Sequence, residues 1–546
     1  MDDLLIYNAH IYTLSQEGEK FAAMSVLKGK ISQLYSKNPP NEDHNQIARK
    51  VINAQNQTIL PGLIDSHVHF IMTAAINVLS TPVSVYENNH FNPNTLEGVK
   101  DLVVRTVENT PASKPIIFNN YIIPSIREDR LPTHMEIDEW APNRLITFIA
   151  IDGHSVSLSS LVLKKLGLNP DEHDGILNED MEEFDMDKIV KLFTDNLTIK
   201  YLLEGLQKTI NDAIAMGLVG IHCLDGFQAD PTKDISLKFL KLFGNKIPLK
   251  LRLYPQIRDI SKLSPFFRKM RTKRIGGCGA WDMDGAVGAK TAAFDIPYRG
   301  EPNNYGSLLL TKEDLLPLMR KAHSLGAQIT SHAIGTRAID ELIAAYSQLM
   351  EEFNDTDNKY RHRIDHFEFP SKDAVEKAIN KLGLLVVPQP GFNWIDANYP
   401  GMNTYQKYLE QEVVKRQTPL KTIIETGGIV CGSSDSPVQY LDPWLQIHGM
   451  VNFPIESERI SVYEALRTYT YNGAYATFEE DERGTLELGK CADFIILPKD
   501  PFQISPTELL NIVVSQTYIN GKKMKKTCYK PMKFFLKLIF NPSKKL

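Results

Sequence analysis

Between residues 58 and 436, short apolar runs rich in β-branched residues recur with helical patterns between them: TILPGLIDSHVHF, RLITFIAID, GLVGIHCLD, LKLRLYPQI, AQITSHAI, RHRIDHFEF, LGLLVVPQP and GIVCGSSDS. Several are followed by stretches of helical periodicity such as TRAIDELIAAYSQLMEEF and KDAVEKAINKLG. That rhythm belongs to repeated βα units and a parallel sheet. Polar or ionisable residues stand just after many of the runs, at the C-terminal ends of the expected strands. In a (β/α)8 barrel that end carries the active site. A doubly wound sheet would place a Gly-rich phosphate turn after its first strand. Here Asp65-Ser66-His67-Val68-His69 stands there instead. The expected fold class is therefore α/β, a (β/α)8 TIM barrel.

Both chain ends have a different texture. LLIYNAHIYTL, AAMSVLKGKISQLYS and KVINAQNQTILPG near the start, and GTLELGKCADFIILPKD and IVVSQTYINGKKM near the end, read as short strands with turn chemistry between them. They predict one small β-sandwich domain assembled from residues 1–60 and 481–525, flanking a barrel over 61–480. Residues 72–200 exceed what one βα unit needs and include the acidic run NEDMEEFDMD. This stretch reads as an insertion over the barrel mouth, serving as a lid, or else as ordinary barrel material.

Composition narrows the function. With 42% hydrophobic and 23% charged residues the chain has the balance of a soluble globular protein, so wholesale disorder is excluded. A net charge of −5 gives no electrostatic case for nucleic-acid binding. Five cysteines without a CxxC pair argue against a disulfide scaffold or a structural zinc module. The acidic start MDDLLIYN is a poor secretory signal and no apolar run is long enough to span a bilayer, so the expected compartment is the cytoplasm. No pattern specifies oligomeric state, and a homo-oligomer is compatible with all of them. The basic tail, 526–546, closes a stretch from Lys522 that holds nine lysines and no acid, interleaved with apolar groups in KPMKFFLKLIF. It reads either as a solvated terminus or as an amphipathic segment making weak contact with an anionic membrane surface or an acidic partner.

The chemistry lies in five residues. His67 and His69, two apart on a strand, point to one face and can share a metal ion. His332 in ITSHAIG, His366 in HRIDHFEF and Asp435 in CGSSDSPV follow apolar runs in equivalent places. Each alone is weak evidence. Together, four histidines and a carboxylate at converging strand ends are expensive to bury unless they bind something. Imidazole and carboxylate ligands suit zinc best among divalent metals, with iron or manganese as alternatives. His154 in IAIDGHSVS, Asp284 in MDG and Gln389 in PQPGFNW are candidate substrate contacts. His222 and Arg363 read as structural groups around the site, Arg363 in a buried ion pair, and Trp394 as pocket lining or core.

LPGLIDSHVH, the DGHS of 152–155, MDGAVGAKTAAF, SHAIGTRAID, HRIDH, GSSDSPV and RGTLELGKCADFIIL together resemble the metal-dependent amidohydrolase superfamily, and more closely its branch of YtcJ-like proteins and N-substituted formamide deformylases. The similarity runs in order from about residue 3 to residue 524. It implies a barrel with a β-sandwich built from both termini. It further implies that His67 and His69 are first-strand ligands, that His332 and His366 are the fifth- and sixth-strand histidines, and that Asp435 is the eighth-strand carboxylate that binds metal and handles the proton. The chain departs from the pattern at IGGCGAWDMDG, where many two-metal members carry a bridging carboxylated lysine and Cys278 or Ala280 stands here. Lys290 lies beyond the motif. The expectation is one metal ion, or a pair bridged by Cys278. Thr336 replaces the aspartate of an IGD turn, a change expected to alter hydrogen bonding without touching the metal.

The expected activity is hydrolysis of a non-peptide C–N bond in a small molecule, a linear amide or N-substituted formamide. A metal lowers the pKa of its water to about 7, with Asp435 as general base and acid and His366 as ligand or catalytic hydrogen-bond donor. Cyclic amide hydrolysis and deamination are alternative chemistries for the same site, and a non-catalytic metal-binding scaffold is the alternative class.

Overall fold

The run TILPGLIDSHV forms two strands divided at one glycine. Val51–Pro61 ends a terminal sheet and Leu63–Val68 begins the inner strands. At Gly62 between them, a Cβ would stand 2.3 Å from Val219 Cγ1. The absent side chain lets the chain pass from one sheet to the other without a loop. The structure is a computed structural model of the 546-residue chain. It describes all residues except 88–89, 113, 152–154, 179–180, 182–187, 190–198, 227–233, 400–401 and 541–546.

We number the inner strands β1 (Leu63–Val68), β2 (Leu218–Asp225), β3 (Lys250–Pro255), β4 (Lys273–Asp282), β5 (Ala327–Ala333), β6 (Arg363–His366) and β7 (Leu385–Val387). All their ladders are parallel: β1–β2–β3 form one arc and β4–β5–β6–β7 another. Residues 430–436 join the arcs through isolated parallel bridges, Val386 to Val430 and Val68 to Ser436. At the other side β3 packs beside β4. The helix Thr336–Glu352 after β5 buries Ile339, Leu342, Ile343, Tyr346, Leu349 and Met350, the one-sided apolar stripe its sequence spacing predicts.

The chain ends meet in one eight-stranded sheet, as expected. Its order is Lys522–Lys523, Gln516–Ile519, Phe494–Leu497, Val51–Pro61, Leu4–Tyr12, Ala23–Leu27, Lys30–Tyr35, with Lys20–Phe21 on Leu4–Tyr12. Phe494 stacks on Tyr518 across the C-terminal pair at 4.3 Å between rings.

Two sequence expectations need correction. RLITFIAID does not join the inner strands. Its strand Ile146–Ala150 lies in a separate five-stranded sheet, between Ile116–Tyr121 and Ser155–Leu158. That sheet has its own core, where Phe118 stacks on Phe148 beneath the helices Leu96–Glu108 and His134–Trp140. Apolar character alone cannot tell a strand which sheet it will join. GIVCGSSDS forms isolated bridges at Val430 and Ser436 instead of a ladder, and its backbone turns at Asp435, whose φ is +60°. The acidic run 178–187 lies almost wholly outside the described residues. Within the basic tail, Pro531–Phe540 is a helix with Phe534 and Leu538 buried. No helix of the described residues is long and apolar enough to cross a membrane.

The helix Ile199–Ala215 closes on Phe70–Leu79, the helix directly after the His67-Val68-His69 motif. A Cβ at Gly205 would stand 1.9 Å from the Ala74 carbonyl oxygen. Gly205→Ala should therefore destabilise the protein by about 1–3 kcal/mol, although alanine is the better helix former by about 1 kcal/mol. Thermal unfolding checks this, and a melting temperature at or above that of the parent would contradict it.

Candidate metal centre

Three of the four histidines of the site, His67, His69 and His332, are held by an acceptor on the outer nitrogen. His67, at the end of β1, has Nδ1 3.0 Å from Asp365 Oδ2. His69 Nδ1 lies 2.9 Å from the Leu224 carbonyl oxygen. His332, on β5, has Nε2 3.3 Å from the Gly285 carbonyl oxygen and 3.4 Å from Asp284 Oδ1. Carbonyls and carboxylates only accept, so these nitrogens carry the protons. The opposite nitrogens, Nε2 of His67 and His69 and Nδ1 of His332, turn their lone pairs inward.

Asp435 completes the first group. Its Oδ1 lies 3.1 Å from His67 Nε2 and 3.2 Å from His69 Nε2. That oxygen is buried and has no hydrogen-bond partner among the described residues. With both imidazoles neutral, three electron-rich atoms face one another, and a cation between them resolves the conflict. A proton resolves it as well: burial opposes charge on His67, yet Asp435 and Asp365 lift it to about 9. Asp435 is held well below the usual carboxylate range: burial opposes its charge, but the nearby imidazoles, His67 foremost, favour it more strongly. The donor set, two neutral imidazoles and a carboxylate, fits a divalent metal.

Cys278 joins this group to the other two histidines. Its Sγ lies 3.5 Å from His67 Nε2, 3.6 Å from His332 Nδ1 and 3.3 Å from His366 Nε2. The thiol reaches in because β4 bulges. Gly277 pairs with Ser331 but Asp282 pairs with His332, leaving 278–281 looped out. Gly276 and Gly277 take φ of +102° and +124°, and a Cβ on Gly276 would stand 2.0 Å from the Thr330 carbonyl oxygen. Ala280 instead packs against the core, while the Cys278 thiol is the side chain that reaches the histidines. Burial, Asp282 and Asp435 keep the thiol's pKa well above its ordinary value while no metal is bound. Cys278 also groups with Asp282 and His332 at ligand spacing. His366 and His332 rings are 4.3 Å apart, and burial together with His332 pushes His366 well below its ordinary pKa. His366 and Asp435 both have left-handed backbones, at φ +69° and +60°. Non-glycine residues adopt that conformation where the surrounding structure forces it, often at functional sites.

The five residues named from sequence therefore converge. Asp284 is fully buried and accepts the amides of Ala293, Ile334 and Gly335, which fixes the turn beside His332. Gln389 donates to Ser433 Oγ, two residues from Asp435, at 3.0 Å, and to the Val387 carbonyl at 3.2 Å. His154 lies outside the described residues. Lys290 pairs with Glu301. Thr336 donates to the Phe369 carbonyl. Trp394 packs edge-on to His448, ring centroids 4.5 Å apart. His222 is buried 3.3 Å from Arg363 Nη1.

Sequence reasoning missed Asp365. Arg363 does form the expected buried ion pair, and Asp365 is its partner: Nε to Oδ1 is 2.8 Å, with Thr330 Oγ1 donating to the same oxygen at 2.7 Å. Arg363 also donates to the Ser66 carbonyl. Burial opposes the charge on Asp365, but Arg363 and His67 hold its pKa below the usual range. The i, i+2 spacing of an arginine and an aspartate on a buried strand was the available signal. Asp65 was missed too; it accepts the amides of His67 and Ser434 and so ties β1 to 430–436.

A second cluster, His323, Asp355 and His362, has similar composition and is buried. There the Ile329 amide donates to His362 Nδ1 at 3.0 Å, so the imidazole proton sits on Nε2, facing His323 Nδ1 at 3.0 Å. Burial lowers His362 to about 3, which keeps it neutral in that tautomer. A nitrogen that carries a proton is no ligand, and this cluster reads as a hydrogen-bonded chain.

With this geometry in view, the comparisons with known proteins agree. Residues 50–524 match the model of the Amidohydrolase family, and the chain belongs to that family. It is 26% identical to the putative amidohydrolase YtcJ of Bacillus subtilis over 94% of this chain and 98% of that protein. It is 25% identical to the N-substituted formamide deformylase of Arthrobacter pascens over 95% and 98%. An uncharacterized metal-dependent hydrolase from Pyrococcus horikoshii superposes with a TM-score of 0.70 over 92% of this chain and 99% of its own, at 21% identity, which shows a shared fold. The protein is an enzyme of the amidohydrolase superfamily, a metal-dependent hydrolase acting on a small substrate through a His/Asp metal site.

Asp365→Asn keeps the shape of the side chain but weakens the acceptor that orients His67. It should lower metal affinity about 10–100-fold, measured by competition with a chromogenic chelator. Unchanged affinity would show that Asp365 does not set the ligand geometry.

Proposed function

We propose that this enzyme hydrolyses a non-peptide C–N bond in a linear amide or an N-substituted formamide. The observation that carries the reading is Asp435 Oδ1 facing the inward nitrogens of His67 and His69 at 3.1 and 3.2 Å. A divalent cation held there, zinc being the best match to the donors, would supply an acidified water and a Lewis acid for the substrate carbonyl. His67, His69 and Asp435 would hold one ion. His332, His366 and Cys278 are the side chains that would be available to hold a second.

Asp435 takes the proton of the attacking water and returns it to the departing nitrogen, so that a neutral amine leaves. Its depressed pKa suits the first half of that task, because the carboxylate is ionised at neutral pH. His366 is neutral and can donate to the carbonyl oxygen as negative charge develops there, in the one-ion form of the site. Asp284 keeps the β5 end and His332 in register through three backbone amides. Gln389 and, from its place in the sequence alone, His154 are assigned as substrate contacts. In the same reading the inner strands and 430–436 constitute a (β/α)8 barrel over 61–480, residues 1–60 and 481–525 its companion sandwich, and 72–200 a lid over the mouth. The similarity to the formamide deformylase supports the choice of linear substrate.

The test is a screen of formamides, N-acyl amines and cyclic ureas with protein stripped of metal and reloaded with zinc, manganese or iron. Linear compounds should be hydrolysed, and Asp435→Ala should lose at least about 10³-fold in kcat while keeping the parent's circular dichroism. Turnover of cyclic ureas alone would replace the linear reading with a ring-opening one. Retention of most activity by Asp435→Ala would remove that residue from the mechanism.

A further inference from the structure

The helix Pro531–Phe540 lies beyond the family match, which ends at 524, and the metal site has no use for it. It is nonetheless firmly docked. Asn211 Nδ2 donates to the Thr527 carbonyl at 2.7 Å and its Oδ1 accepts the Thr527 amide at 2.9 Å. Gln207 makes the same pair of bonds to Tyr529, at 3.0 and 2.7 Å. Phe534 and Leu538, four apart, are buried, and Phe535 meets Phe243 edge-on at 5.3 Å.

What this docking turns outward is unusual. Met532, Leu536 and Phe540, at i, i+4 and i+8, form a stripe that is 67, 47 and 80% exposed. Lys533 and Lys537 flank it on one side and are exposed as well. The neighbouring helix Ile235–Phe243 repeats the arrangement: Ile235 and Leu242 are 41 and 59% exposed, with exposed Lys238 between them. Neither helix contains an acid, and none occurs from residue 509 to the end of the chain. The nine lysines from 522 onward leave the remaining chain at −14, from −5 − 9. The molecule is therefore strongly polarised in charge.

We propose that these two helices form a docking face for an anionic lipid bilayer. An apolar stripe flanked by cations lies in the plane of a bilayer surface, its side chains among the acyl chains and its lysines at the headgroups. The basic residues of the tail are all lysine. Lysine is depleted at protein–protein interfaces, where arginine's planar fork is favoured, whereas diffuse attraction to anionic headgroups asks only for point charges. The negative remainder of the protein is repelled by the same surface, so binding fixes one orientation. Because the helix is already folded onto Ile199–Ala215, association does not have to order it.

The test is co-sedimentation of full-length protein with phosphatidylcholine vesicles, with and without phosphatidylglycerol. Wild type should pellet with the anionic vesicles, less so as salt is raised, and not with the neutral ones. A Met532→Ser, Leu536→Ser, Phe540→Ser variant should partition at least about tenfold more weakly, and so should Lys533→Glu, Lys537→Glu, which leaves the exposed apolar stripe itself unchanged. Circular dichroism melts matching wild type show that both variants are folded. Equal partitioning of all three proteins, or no preference for anionic vesicles, would overturn the proposal. So would sedimentation velocity in which wild type self-associates without lipid and the serine variant does not, since the face would then belong to a second copy.

Discussion

Burial of a carboxylate oxygen against two imidazole lone pairs is the constraint on which the rest of this molecule depends. Asp435 Oδ1, His67 Nε2 and His69 Nε2 would repel one another if nothing positive lay between them. The arrangement persists because each partner is fixed from behind. Asp365 and the Leu224 carbonyl set the histidine tautomers, and Asp365 is in turn held by Arg363 and Thr330. The His323–His362 pair shows the alternative. There a backbone amide donates to the imidazole, the tautomer reverses, and the same residue types make a hydrogen-bonded chain. Whether a buried histidine can be a ligand is decided by what its outer nitrogen touches.

The backbone is shaped to serve that convergence. Gly62 carries the chain from the terminal sheet into β1 without a loop, so the edge holding His67 and His69 is anchored to a rigid neighbour. The glycine-rich bulge in β4 brings Cys278 to within 3.3–3.6 Å of three histidines. His366 and Asp435 sit at the ends of their segments in left-handed conformations, which aim their side chains across the site. Asp65 clamps β1 to 430–436 directly beneath the ligands.

Much of this was legible in the sequence. The ligands stood out because five ionisable side chains fell at the ends of four of the eight apolar runs, and a strand places such residues on one end of a sheet. The terminal sheet was legible from β-rich texture at both ends. The assignment of Ile146–Ala150 was not, because strand pairing is set by distant partners, here Ile116–Tyr121 and Ser155–Leu158. Asp365 was hidden by His366 beside it, which drew attention as the ligand while its neighbour faced the opposite way toward Arg363 and His67. The docking of the tail was hidden too, since it rests on Asn211 and Gln207, more than three hundred residues earlier in the chain.

The central claim is that the strand ends enclose one cation position. Anomalous X-ray diffraction from crystals of zinc-loaded protein addresses it most directly. A peak should lie about 2.0–2.2 Å from His67 Nε2, His69 Nε2 and Asp435 Oδ1, and any second peak should lie among His332, His366 and Cys278. Zinc found only elsewhere, for example between His323 and His362, or a loaded protein with no peak among these ligands, would contradict the account.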